Sequence, residues 1–247
     1  MDRLIYSAVS GMSASMVQQR AIASNMANAQ TSGFKAEILD ARPVTLKGGP
    51  VELRAMNRTE VRGASLTDGS VTETGGPLDI AMQGNVMLAV QSLDGSEVYT
   101  RRGDLTITAG GVLQTGDGMP VLGAGGPITV PVGGDIAIAP DGGVMLSDPA
   151  DPQAAPVQID RIKLTSTAGT DIAKGLDGQF RVRGGGVLPE DLDAKVITGS
   201  LEQSNVTTSE VLVEMIEAQR LFDIRTNVVS TARDLDESSA RLMRIDR

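Results

Sequence analysis

Apolar residues near the N-terminus fall at alternating steps of four and three, at Ile5, Val9, Met12, Met16, Gln19, Ala23 and Met26, with Gln19 the one polar member. This stepping is that of a helix burying one seam, and it predicts a helix over Leu4–Asn28. The same stepping returns at the other end through Leu221, Ile224, Val228, Thr231, Leu235, Ser238, Leu242 and Ile245. Val211, Leu212, Met215, Ile216 and Phe222 widen that stripe upstream, so a second helix is predicted over Thr207–Ile245 with room for more than one neighbour. At about 1.5 Å per residue the first helix would run ~37 Å and the second ~58 Å. The surplus apolar length on the second calls for a partner beyond the first.

Local signals mark the ends. Thr207 with Glu210 three residues on fits a capping box, Asp2 is a candidate N-cap, and Thr31-Ser32-Gly33 is a stop. Ser7, Ser10, Gly11, Ser13, Ser15 and Ser24 make the first helix a poor helix former, with Gly11 alone costing about 1 kcal/mol relative to alanine. Such a segment is expected to order only when it packs.

Between the helices the helical stepping stops. Short apolar runs alternate with turn signals such as Asp94-Gly95, Gly110-Gly111, Gly116-Asp117-Gly118, Asp141-Gly142-Gly143, Asp177-Gly178 and Gly184-Gly185-Gly186. Strands are predicted at Val86–Val90, Glu97–Thr100, Leu105–Thr108, Pro127–Val130, Ile136–Ala139, Val157–Leu164 and Gln179–Arg183. The preceding stretch is mixed, broken by Pro43, Gly48-Gly49-Pro50 and Gly63, and alternates near Val51-Glu52-Leu53-Arg54, which reads as an extended connector or a hairpin. The fold expected is therefore α+β: long N- and C-terminal α-helices packed as a coiled-coil-like bundle (residues 1–35 and 200–247), an extended connector (36–75) and a central all-β domain (76–199).

Composition then removes function classes. Aromatics are 2% of 247 residues, so the core must be aliphatic and there is little surface on which bases or sugars could stack. A net charge of −9 argues against binding nucleic acid, and no run of about 20 apolar residues exists to insert in a membrane. The chain has neither cysteine nor histidine, which excludes thiolate nucleophiles, Cys/His zinc sites and Ser-His-Asp triads. Met1-Asp2-Arg3 leads into a Ser-rich amphipathic helix, so a Sec-type signal is not expected. The glycine clusters match neither G-x-x-x-x-G-K-[ST] nor G-x-G-x-x-G and read as turns. Asp148, Asp151, Asp191 and Asp193 lack the spacing of a calcium loop. Carboxylate chemistry survives, with Asp79 and Asp104 as candidates for a hydrolase of cell-wall polymer. Residue patterns alone leave three readings open: an assembly protein, that hydrolase, and a fibre or tail subunit with coiled-coil ends.

Five blocks spread over the whole chain narrow these. Asn25-Met26-Ala27-Asn28-Ala29-Gln30-Thr31-Ser32-Gly33-Phe34-Lys35 resembles the N-terminal signature of the bacterial flagellar rod and hook proteins. Gly76-Pro77-Leu78-Asp79-Ile80-Ala81-Met82-Gln83-Gly84 and Tyr99-Thr100-Arg101-Arg102-Gly103-Asp104-Leu105 are similar to that family's β region. Gly199-Ser200-Leu201-Glu202-Gln203-Ser204-Asn205-Val206 and Met215-Ile216-Glu217-Ala218-Gln219-Arg220-Leu221-Phe222-Asp223 are similar to its C-terminal part. Two departures are Asn85-Val86-Met87, where a Gly-Phe-Phe-like run is common, and Asn227, where Lys or Gln is usual.

The resemblance implies a structural subunit of the basal-body rod, of the proximal type by its opening residues and length, with the distal rod or another axial subunit as alternative. It implies partners that are copies of itself, other rod proteins and the flagellar type III export apparatus, and a place in the periplasmic rod. No nucleic acid, membrane insertion, small-molecule substrate, cofactor, metal or catalytic residue is expected. The residues expected at the assembly interface are Ile5, Val9, Met12, Met16, Ala23 and Met26 on the first helix and Val211, Met215, Phe222, Ile224, Val228, Leu235 and Leu242 on the second.

Overall fold

The computed structural model describes residues 2–48, 51–131, 133–148 and 155–245, with side chains left out at both ends and over residues 41–62. Two helices are present among them: α1, Asp2–Ala27, of 26 residues, and α2, Thr208–Ile245, of 38. Thr207 sits just before α2 with its carbonyl accepting the Val211 amide at 3.1 Å. The chain divides into two compact units, one holding α1, residues 37–63 and α2, the other holding Asn28–Ala36 and Ala64–Val206.

The expected coiled-coil-like bundle of long terminal helices is corrected by this arrangement. Among the described residues the N-terminal helix is the shorter of two, and a large multi-stranded β region lies between them. The buried positions of α1 are Ala14, Ser15, Ala21, Ile22 and Asn25, roughly 130° around the helix from the predicted seam at 3.6 residues per turn. A coiled-coil seam needs large apolar knobs at its core positions. Here the buried face of α1 is mostly small and polar, with Ile22 its one large apolar member.

Of the two readings of the connector the structure has the hairpin: Glu37–Gly48 and Val51–Ala64 are long strands paired with each other, and a two-residue junction allows them only to run antiparallel. Within the same unit Asn25 fastens the first of these strands to α1. Its Oδ1 accepts from the Glu37 amide at 2.8 Å and its Nδ2 donates to the Glu37 carbonyl at 3.2 Å.

In the β unit a five-stranded antiparallel sheet runs in the order Leu164–Ser166, Val86–Gln91, Glu97–Thr100, Phe180–Val182, Ile172–Lys174. Val86–Gln91 is covered on both faces. Val86, Leu88 and Val90 join the main core with Ile80, Val98, Leu113, Ile128, Val144 and Leu164, while Met87 and Ala89 join a second cluster with Tyr99, Phe180 and Leu188. Burial on both faces is why this strand reads as an unbroken apolar run rather than as alternation. The predicted strand Val157–Leu164 is split: Val157–Arg161 pairs with Gly143–Ser147, and Leu164–Ser166 pairs with Val86–Leu88. Ile162, buried between them, marks where the chain changes sheets.

Candidate assembly surface and arm clamp

Along α2 the buried and half-buried positions are Val211, Met215, Ala218, Phe222, Arg225, Val229 and Ala232, an uninterrupted four-three repeat. This is the side that meets α1: the Arg225 guanidinium donates to the Gly11 carbonyl at 2.5 Å and to the Ser15 hydroxyl. Gly11 leaves room for the guanidinium: a Cβ added there would sit in ordinary contact with Arg225 Nε at 3.4 Å, and a longer side chain would occupy its place. Thr226 lies beside it, with its hydroxyl 3.9 Å from the Met12 sulfur.

A second apolar stripe on α2, Leu221, Ile224, Val228 and Leu235, stands exposed, Ile224 at 60% and Leu235 at 55%. It lies about 100° around the helix from the buried one. On α1, Val9 and Met16 are exposed at 46% and 54%. Ala23 is also exposed, and Met12 and Met26 are half-buried. The predicted interface residues thus fall into two groups. Val211, Met215 and Phe222 belong to the buried side of α2, whereas Val9, Met16, Ala23, Ile224, Val228 and Leu235 face outward on a single chain. The side chains of Ile5 and Leu242 lie outside the described residues. Stepping by heptads found the apolar residues but could not tell which face the chain itself would cover. Asn25, Arg225 and the Gly11–Ser15 notch were missed because polar and small residues carry no hydropathy signal.

The β unit contains a cluster that no hydropathy pattern announces. Lys35, Arg101 and Glu202 are 1%, 3% and 1% exposed at their side chains. Lys35 Nζ lies 2.7 Å from Glu202 Oε1, Arg101 Nε donates to Glu202 Oε2 at 2.8 Å, and Asp68 at the rim accepts from Arg101 Nη2 at 2.8 Å. Burial holds the Lys35 ammonium below the ordinary lysine value, against the opposing pull of its hydrogen bond to Glu202. Around these charges Lys35 Nζ donates to the Thr67 carbonyl at 2.7 Å, and Asn205 accepts the Ala36 amide at 2.7 Å while donating to the Ser65 and Thr67 carbonyls at 3.0 Å. Lys174 donates to the Lys35 carbonyl at 2.8 Å with its ammonium 3.5 Å from the Phe34 ring centre.

Asp79 and Asp104, the candidate acids, are backbone bridge partners, but each carboxylate has local company. Asp79 accepts from the Thr74 hydroxyl at 2.5 Å, and Arg102 holds Asp104 through two bonds of 2.6 and 2.8 Å. Among the described residues no group of three His, Cys, Asp or Glu is placed to hold a metal, and no helix is long and apolar enough to cross a membrane.

A β-sheet unit joined to a helix pair that leaves a stripe of large aliphatic side chains outside is the build of a structural assembly protein. Comparison with known proteins agrees and narrows the class. Residues 5–35 match the model of flagella basal body rod proteins, residues 81–146 the D1 domain of the flagellar hook protein FlgE/F/G, and residues 197–242 the C-terminal part of the flagellar basal body rod FlgEFG proteins. The chain is 38% identical over 240 residues to flagellar basal-body rod protein FlgF of Escherichia coli, covering 95% of each chain. It is 37% identical over 247 residues to FlgF of Salmonella typhimurium, covering 98% of this chain and 97% of that one. To flagellar basal-body rod protein FlgG of Bacillus subtilis it is 29% identical over 265 residues, covering 99% and 100%. The chain belongs to the flagellar basal-body rod protein family and is most like FlgF. It is a structural rod subunit of the flagellar basal body, not an enzyme, and it assembles with other rod components.

Proposed function

We propose that the chain is a proximal rod subunit that polymerises helically through its terminal helices and so transmits torque. The contacts assigned to this assembly are Ile5, Val9, Met12, Met16, Ala23 and Met26 on α1 and Val211, Met215, Phe222, Ile224, Val228, Leu235 and Leu242 on α2. The outward-facing members meet neighbours, and the half-buried ones support them. One observation carries the reading: the stripe Leu221, Ile224, Val228 and Leu235 is exposed on a face distinct from the one that closes on α1. Aliphatic side chains aligned over four turns are costly to leave in water, at about 25 cal/mol per Å² of apolar surface, and a neighbouring subunit offers the means to cover them. A head-to-tail contact between unlike faces would propagate as a helix rather than close. Family membership supports two further parts of the reading, passage through the flagellar type III export apparatus and assembly of the rod in the periplasm. Basal bodies purified from cells carrying Ile224→Asp test the proposal. Loss of the variant from the rod, with loss of motility, is expected; normal incorporation would contradict it.

A further inference from the structure

We propose that Lys35, Arg101 and Glu202 form a latch that closes as one step, fixing or releasing together the segment that follows α1 and the segment that precedes α2 while the β core stays folded. The cluster gathers pieces far apart in the chain, since Lys35 and Glu202 are separated by 167 positions. The segment after α1 is tied in through the Gly33 amide, which donates to the Glu202 carbonyl at 2.8 Å, and through Lys35. Residues 65–69 join through the Gly69 amide, donating to Glu202 Oε1 at 2.9 Å, and through the Thr67 carbonyl. The segment before α2 contributes Glu202, the Gln203 amide bonded to the Ser70 carbonyl at 2.8 Å, and Asn205. Contact is close enough to demand glycine. A Cβ on Gly33, whose φ is +69°, would fall 2.3 Å from the Arg101 backbone, and one on Gly69 would fall 1.9 Å from the Gln203 carbonyl oxygen.

Two features make closure all-or-none and separable from the core. The Glu202 carboxylate is the one buried anion serving both buried cations, so withdrawing it alone leaves Lys35 and Arg101 away from water with only the exposed Asp68, 3.8 and 2.8 Å away, to balance them, whereas full opening hydrates every charge. Partly open states are therefore the expensive ones. None of the latch residues belongs to either apolar cluster, and Arg101 keeps its bond to the Val86 carbonyl at 2.9 Å, so the sheet loses no core contact when the segments leave. Local opening of this kind needs only that its free energy lie below that of global unfolding. The two segments leading into the helices are thereby set as a pair, never one ordered and the other loose.

The latch does not depend on the assembly reading, because its test uses the isolated full-length chain. Native-state hydrogen exchange in graded denaturant would follow the amides of Gly33, Ala36, Gly69 and Gln203, with Ala89 and Leu113 as core reporters. The four latch amides are expected to share one opening curve below that of the core pair. In Glu202→Gln they should exchange about a hundredfold faster or more, with Ala89 and Leu113 changed less than about threefold. Separate curves for the four, or opening only together with the core, would overturn the proposal. Should Glu202→Gln fail to fold, the wild-type curves decide the matter alone.

Discussion

Arg225 of α2 lies across α1 with a guanidinium nitrogen 2.5 Å from the Gly11 carbonyl oxygen, passing over a helix position that has no side chain. The helix pair is thus closed by a cation in a notch, and the outward positions are left for large aliphatic residues. Gly11→Leu should drive Arg225 out of the notch and lower the melting temperature of the helices. Gly11→Ala, whose Cβ would sit at an ordinary 3.4 Å from Nε, should be neutral or gain up to about 1 kcal/mol from helix propensity. Arg225→Met should cost about 1–2 kcal/mol through its lost hydrogen bonds. Thermal unfolding followed by circular dichroism distinguishes the three.

Burial separates two aspartate substitutions on α2. Ile224→Asp places the charge on an exposed stripe and should leave monomer stability within about 0.5 kcal/mol of wild type. Ala218→Asp, on the buried stripe, should cost about 3 kcal/mol or more in the isolated chain. Equal melting of the two variants would show that the two faces are not distinct.

Two glycines in the β unit should respond oppositely to alanine. At Gly69 the added carbon meets a backbone oxygen at 1.9 Å, and a loss of at least about 2–3 kcal/mol is expected. At Gly84, with φ of +61° and open space around it, only the conformational cost of about 1 kcal/mol applies. Denaturant midpoints measured on both variants test the contrast.

Tyr99 gives a pH signature. Its hydroxyl accepts the Leu188 amide at 2.6 Å and donates to Glu97 at 3.0 Å, and burial pushes its pKa up to about 12. The folded state therefore favours the neutral phenol more than the unfolded state does, with its ordinary value of 10.0. This contribution is complete below pH 10 and is lost as pH rises to about 12. Stability should fall across that window in wild type, and Tyr99→Phe should abolish the tyrosine part of the fall while starting lower, because the Leu188 amide loses its acceptor.

Much of this was legible in the sequence, and the illegible parts share a cause. Both helices, the Thr207 start and strands such as Glu97–Thr100 follow from periodicity and caps, which are local properties. The face that α1 buries is not local. It depends on Arg225 finding Gly11 and Ser15 at a separation of more than two hundred residues, and small and charged residues leave no trace in a hydrophobic pattern. The Lys35–Arg101–Glu202 cluster was hidden for the same reason, although each member stands inside a block that resembled the rod and hook proteins. Val157–Leu164 looked continuous because a change of sheet at Ile162 interrupts hydrogen bonding without interrupting apolar character.

The central claim, that neighbours in the rod cover the outer stripe of α2, is open to a direct measurement because the chain contains no cysteine. Val228→Cys introduces a single thiol on that stripe, at a position that is exposed in the single chain. Maleimide labelling of this thiol should be rapid in the purified monomer and strongly suppressed in intact basal bodies, whereas equally rapid labelling in both would contradict the account.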